Sequence, residues 1–192
     1  MMEQRDVIIW GGLAFFAVGL YHRLRSERAR ERIDRTKEGW FILIGLRLAG
    51  LMSLVCTVAL LRNPAQFPWA EIAVPVAAQW CGVIWFVLAE LWLIWMFRSL
   101  GLNLTDTAVT RAHATFVDSG PYRYVRNPMY TGVLMLGLGL GVALATWLLP
   151  VLLGLVFAFM ATRTRIEERY LIERFGDQYR GYMARTGRFF PR

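Results

Sequence analysis

Long apolar runs alternate along the chain with short polar stretches rich in arginine, and the runs are longer and more uniformly apolar than the striped helices of a soluble domain. Four tracts stand out: Val7 to Leu24, Trp40 to Leu61, Ile72 to Phe97 and Met129 to Thr162. Each of the first three suits one helix across a hydrocarbon core of about 30 Å. The last would make a helix of about 50 Å at 1.5 Å per residue, so it is expected to fold as a hairpin. Its break is best placed between Ala145 and Pro150, where proline withholds a backbone donor and Trp147 suits a membrane interface. About five transmembrane helices follow. The fifth is expected to run unbroken from Val151 past Thr162 to Gly176, a residue suited to a helix C-cap. The first tract ends in Tyr21, His22 and Arg23 with no small-residue cleavage site, and reads as a retained span, not a signal peptide.

Charge orients these spans. The stretch from Arg23 to Lys37 carries seven basic residues, whereas the connection from Arg62 to Glu71 carries only Arg62. The positive-inside tendency therefore puts the first loop in the cytoplasm and the N-terminus outside. Two further crossings return the 98–128 loop, with Arg98, Arg111, Arg123 and Arg126, to the cytoplasm. The hairpin does the same for the tail beginning at Arg163, which holds eight arginines. Reading the long tract as a single span would put that tail outside, against the same tendency.

Composition agrees with a membrane protein: 56% of residues are hydrophobic, above the roughly 45 to 50% of soluble domains. The net charge of +8 clusters beside the apolar tracts, where it meets anionic lipid headgroups, and so does not indicate a nucleic-acid partner. Cys56 and Cys81 fall inside apolar tracts without a CxxC spacing or a partner histidine, so neither a metal centre nor a disulfide is expected. The GLGLG run at Gly137 to Gly141 lies in lipid without a preceding strand and reads as a close helix contact, not a nucleotide loop.

Candidate chemistry concentrates where charge meets the bilayer. Ala114 to Tyr130, ATFVDSGPYRYVRNPMY, brings Tyr122, Arg123, Arg126, Asn127 and Tyr130 to the water boundary between two apolar runs. This is either a site or an anchoring loop. Arg163 and Glu167, four apart, share a helix face just beyond the last apolar tract and also suit an ordinary exposed ion pair. Glu168 reads as an exposed helix acid. Arg47 and Glu90 lie at similar depth within their spans, which permits a pair; Arg47 can also snorkel to the headgroups.

Two blocks resemble a known family. NLTDTAVTRAHATFVDSGPYRYVRNPMYTG and RTRIEERYLIERFGDQYRGYMARTGRFFP are similar to the signature regions of the isoprenylcysteine carboxyl methyltransferase and phospholipid methyltransferase superfamily, integral membrane enzymes that use S-adenosylmethionine. The resemblance covers Gly101 to Arg192. It implies an all-α integral membrane protein in which residues 1–97 form transmembrane helices 1–3 with a basic cytoplasmic loop at 22–39. Residues 98–192 would form the methyltransferase cofactor region, including the hairpin at 129–161 and the cytoplasmic tail. By position, the resemblance implies cofactor binding by Ala114, Thr115, Phe116, Val117, Tyr122, Asn127, Pro128, Met129, Tyr130 and Glu167, and a catalytic role for Arg163 at the reacting centre. Two positions differ from the family pattern. Ala114 occupies the place of its histidine, with His113 one residue out of register, and Asn127 replaces the histidine of its Arg-His-Pro element.

The implied activity is methyl transfer from S-adenosylmethionine to a lipophilic acceptor, either an isoprenylcysteine-like carboxylate or a similar small lipid. Alternatives are N-methylation of a phospholipid amine, an NADPH-dependent enzyme of the sterol-reductase kind, and a non-catalytic membrane module. On chemical grounds Glu167 suits the cofactor amino group, Arg126 its carboxylate, and Tyr122 and Tyr130 the adenosyl part or sulfonium. Arg163 suits an acceptor carboxylate or phosphate.

Overall fold

The computed structural model describes residues 3–27, 40–101 and 116–192. His113, Ala114, Thr115 and the basic stretch from 28 to 39 lie outside the described residues. Among the described residues six α-helices follow one another: α1 (Gln4–Glu27), α2 (Trp40–Arg62), α3 (Val76–Leu100), α4 (Pro128–Ala143), α5 (Leu148–Phe175) and α6 (Asp177–Arg185). No β-strand occurs among the described residues, only two isolated bridges, Glu71 with Thr146 and Val125 with Gly187.

The apolar tracts mark the long helices closely, because a segment with no water to bond its backbone must satisfy itself internally. Helices α1, α2, α3 and α5 are long and apolar enough to cross a membrane. Helix α4 is equally apolar but has 16 residues, or about 24 Å, which is shorter than the hydrocarbon core. Exposed large side chains such as Trp10, Phe16, Leu48, Leu54 and Trp85 form an apolar perimeter suited to lipid. This is a multi-pass membrane architecture.

Spatial order differs from chain order. Helix α3 packs against both α1 and α4, and α5 packs against both α4 and α2. The α3–α4 approach is backbone to backbone: a Cβ added at Gly82 would lie 2.4 Å from Ala143 N, and one at Gly139 would lie 2.7 Å from Phe86 N. The GLGLG run is thus a helix contact, since only hydrogen fits between the chains.

The hairpin break falls at Leu144–Trp147, and Pro150 lies within the first turn of α5, where a missing donor costs nothing. The turn itself needs Ala145 at φ +50. It is held from the 64–75 connection: Ile72 N donates to Ala145 O at 2.9 Å, and the Thr146 hydroxyl donates to Ala70 O at 3.0 Å. The far end of α5 stops at Gly176, whose φ of +56 suits glycine and whose N–H donates to Ile172 O at 2.8 Å.

The pair suggested for Arg47 and Glu90 does not form. Arg47 is exposed on α2. Glu90 is buried on the α1 side of α3, where a Cβ at Gly11 would come within 2.9 Å of Glu90 Oε2. Similar depth does not bring two residues together when their helices turn them toward different neighbours.

Candidate active site

At one end of the α4–α5 hairpin the chain gathers three segments: the 116–127 approach to α4, the middle of α5, and α6 with the residues after it. The approach is shaped by a 3-10 turn, Gly120–Arg123, entered through Gly120 at φ +62. Pro128 then opens α4 with its fixed φ, and its carbonyl accepts from Trp92 Nε1 of α3 at 2.8 Å.

The central contact is between helices. The Tyr130 hydroxyl donates to Glu167 Oε2 at 2.8 Å. Arg163, one turn earlier on α5, approaches Glu167 Oε1 at 3.4 Å. The Arg163 side chain is only 8% exposed and that of Glu167 20%, so this i,i+4 pair is partly desolvated, unlike the exposed pair that spacing alone allows. Tyr130 is itself walled by aromatic rings: Phe189 stacks on it at 5.4 Å between centroids, and Phe157 meets Phe189 edge-on at 5.1 Å. Thr164 is fully buried in the next position of α5 after Arg163.

The neighbouring carboxylate has a different environment. Glu168 is buried, contrary to the exposed acid its place in the sequence suggests. Arg126 donates to its Oε1 through Nε at 3.1 Å and Nη2 at 3.0 Å, and Arg188 donates to Oε2 through Nη2 at 2.6 Å. Arg126 also donates from Nη1 to the carbonyls of Met183 and Thr186. Its guanidinium, suited on chemical grounds to a ligand carboxylate, is thereby committed to holding α6 and the tail against α5. Glu168 is the pin of that clamp.

The tail is tied further along. Gly187 O accepts from Arg126 N at 2.8 Å, Arg188 O accepts from Asn127 N at 3.1 Å and from Asn127 Nδ2 at 3.2 Å, and Phe189 O accepts from the Thr131 hydroxyl at 2.6 Å. Asn127 therefore spends its side chain on the tail. Tyr182 donates to Tyr122 O at 2.6 Å. Burial pushes the Tyr122 phenol above its ordinary value, with the charges of Tyr182 and Glu167 adding to the rise. Burial likewise raises Tyr179 and Tyr182.

Of the residues singled out by sequence, Tyr122, Tyr130, Arg163 and Glu167 converge here. Pro128 and Met129 form the adjoining wall, Met129 packing beside Tyr130 and Met160. Phe116 stands apart in an aromatic cluster with Phe175, Tyr179 and Tyr182; Val117 follows it, partly buried. The roles of Arg188, Phe189 and Thr131 in closing the site were not apparent in sequence. Their partners lie 20 to 61 residues away in the chain, and the only available signal was the Arg-Phe-Phe-Pro ending. Among the described residues no group of His, Cys, Asp and Glu could hold a metal ion.

Comparison with known proteins fits this geometry. Residues 77–178, just over half of the chain, match the phospholipid methyltransferase family, and the chain belongs to it. It is 31% identical over 110 residues to the protein-S-isoprenylcysteine O-methyltransferase of Schizosaccharomyces pombe, covering 50% of this chain and 47% of that one. It is 32% identical over 130 residues to the methanethiol S-methyltransferase of Pseudomonas deceptionensis, covering 62% and 45% respectively. Against the cobalt-zinc-cadmium resistance protein CzcN of Cupriavidus metallidurans, identity is 32% over 135 residues, covering 59% of this chain and 62% of that one. The matched part is thus about half the length of these curated relatives. The solved structure of the eukaryotic intramembrane isoprenylcysteine carboxyl methyltransferase superposes with a TM-score of 0.57 at 17% identity, covering 98% of this chain and 67% of that chain. That likeness establishes a shared fold.

Proposed function

We propose that the protein is a membrane methyltransferase that takes its methyl group from S-adenosylmethionine, bound at the Tyr130–Glu167–Arg163 cluster, and passes it to a lipophilic acceptor bearing a carboxylate. The supporting observation is the contrast between adjacent glutamates. Glu168 is buried and clamped by two guanidiniums, whereas the Glu167 side chain is 20% exposed and faces the Tyr130 hydroxyl and Arg163. A carboxylate that is partly exposed at the edge of an aromatic wall suits an ammonium group. The donor set fits a methionine-derived ligand: a carboxylate for its amino group, aromatic faces for a sulfonium, and a buried arginine beside them.

When bound, S-adenosylmethionine supplies a methyl carbon whose bond to sulfur breaks as a bond to the acceptor carboxylate oxygen forms, leaving a neutral thioether and releasing no proton. The protein's part is orientation. Tyr130 fixes the Glu167 carboxylate, and Phe189 fixes the Tyr130 ring. Arg163 directs an acceptor carboxylate toward the same point, which is how a displacement gains its near-attack geometry. An amine acceptor would need a base, and Glu168, the nearest candidate, is occupied by Arg126 and Arg188. The five-helix crossing, with the N-terminus outside and the site on the cytoplasmic face, suits a polar cofactor arriving from water and a lipophilic acceptor arriving sideways.

The test is calorimetric titration with S-adenosylhomocysteine, beside NADPH, followed by a labelled-methyl assay on total membrane lipid with identification of the product. Binding of the former alone and a labelled ester are expected. Binding of NADPH instead, or a labelled amine, would overturn the reading.

A further inference from the structure

Val156, Met160, Thr164 and Glu168 recur at every fourth position of α5 and are all buried, so they form one row along the helix. Val156 and Met160 pack beside Tyr130, and Glu168 is pinned by Arg126 and Arg188. Thr164 stands between the apolar part of the row and the clamp, with no exposed surface. Its hydroxyl is out of keeping with that place. Threonine hydroxyls in helices commonly return to a carbonyl three or four residues back, as Thr162 does with Phe159 O at 2.7 Å. Thr164 Oγ1 holds no hydrogen bond among the described residues. Across the helix contact it faces the Tyr130 phenol, near enough to act on it but without a formed bond. Glu167 lies three residues further along α5, so Thr164 and Glu167 approach the same phenol oxygen from one helix.

A valine would fill nearly the same space and leave no polar atom to bury. An unpaired hydroxyl inside a protein disfavours the folded state, so threonine at this position burdens the ligand-free protein. The burden lifts only in an arrangement where the hydroxyl is bonded. Tyr130 offers that partner: its own proton goes to Glu167, its oxygen retains acceptor capacity, and Thr164 has a rotatable O–H to donate. We propose that Thr164 is a positioning residue whose hydroxyl closes onto the Tyr130 oxygen when an amino-acid ligand's ammonium engages Glu167, completing a chain from Thr164 through Tyr130 to that carboxylate. The proposal rests on the methyl-transfer reading above and adds a residue that acts through Tyr130. Accepting the Thr164 bond strengthens the one Tyr130 donates, because linked hydrogen bonds polarise one another. The carboxylate is thereby held most firmly when the ligand is present.

The test uses the full chain in detergent, with S-adenosylhomocysteine as the probe and Thr164→Val, Thr164→Ser, Tyr130→Phe and the double variant Thr164→Val with Tyr130→Phe. Without ligand, Thr164→Val should melt at or above the parent's temperature, since it removes an unbonded hydroxyl and keeps the shape. Its calorimetric affinity for S-adenosylhomocysteine should nevertheless fall about fivefold, the weight of one ordinary hydrogen bond, and Thr164→Ser should bring it back to within about twofold of the parent. Once Tyr130→Phe has removed the acceptor oxygen, adding Thr164→Val should weaken binding no further, whereas an effect of packing would reappear undiminished. A lowered ligand-free melting temperature in Thr164→Val, or its failure to fold, would show a hydroxyl already bonded and overturn the proposal. So would parent-like affinity in Thr164→Val, a loss that serine does not restore, or an equal loss in the Tyr130→Phe background. A parent that binds no S-adenosylhomocysteine overturns the methyl-transfer reading and the role of Thr164 with it, an outcome distinct from a parent that binds and is indifferent to Thr164.

Discussion

The Tyr130 hydroxyl and the Glu167 carboxylate, 37 residues apart in sequence, meet at 2.8 Å across the α4–α5 hairpin. A hydrogen bond to a charged group contributes about 1.5 to 3 kcal/mol, more than a neutral one. Tyr130→Phe retains the ring and its stacking on Phe189 while freeing the carboxylate. Affinity for S-adenosylhomocysteine should fall about tenfold and the melting temperature by about 3 to 12 °C. Glu167→Ala should abolish binding in a still-folded protein. Undiminished affinity in Glu167→Ala would remove that residue from the cofactor site.

The adjacent glutamate should behave in the opposite way. Glu168→Ala leaves the Arg126 guanidinium, whose side chain is 9% exposed, without its carboxylate. Breaking a buried pair from one side costs about 3 to 5 kcal/mol. Thermal unfolding in detergent should therefore begin roughly 6 to 20 °C lower, and Glu167→Ala should shift it less, because Arg163 approaches that carboxylate at 3.4 Å whereas Glu168 holds two guanidiniums at 3.0 and 2.6 Å. Equal shifts for the two variants would contradict the division into clamp and site.

Alkaline stability should follow the buried phenols. Tyr122, Tyr179 and Tyr182 are all held above the ordinary phenol value by burial. Below about pH 10 both folded and unfolded chains keep these protons, so the three contribute no pH dependence there. Above it the unfolded chain loses protons that the folded chain keeps, and stability falls by up to about 1.4 kcal/mol per pH unit for each tyrosine. Tyr179→Phe should flatten the decline of melting temperature between pH 10 and 11. Parallel curves for the two proteins would count against it.

The α3–α4 contact makes a steric prediction. Gly82→Ala pushes a methyl group toward backbone at 2.4 Å, whereas Gly12→Ala meets nothing within 4 Å. Overpacking of this kind typically costs about 1 to 3 kcal/mol. Gly82→Ala should lower the melting temperature and Gly12→Ala leave it unchanged; the reverse order would refute the close approach.

What the sequence disclosed depended on range. Helix α2 was readable almost to the residue, since an uninterrupted apolar run has few alternatives in lipid, and Gly176 announced the end of α5. The hairpin break fell at the Ala145 end of the expected window and not at Pro150, because Pro150 is compatible with a first helical turn, while the corner itself uses Ala145 at positive φ, which no residue-type rule favours. Within the site, Arg163 and Glu167 were legible as helical neighbours. The burial of Glu168 was not, because it is created by Arg126 and Arg188, 42 and 20 residues distant. Arg47 and Glu90 failed to pair for a similar reason: depth is written in the sequence, helix rotation is not.

Gly187 to Phe190 cross over the cluster, and their backbone carbonyls and side chains fasten it to the start of α4. A ribosome delivers them after all six of the described helices. Membrane insertion of α1, α2, α3 and α5, the helices long enough to cross, can therefore run its course while the cluster is still unfinished, and its closure is a discrete late event. A nascent chain stalled before Arg188 would carry every helix described here and still lack the segment that closes the cluster.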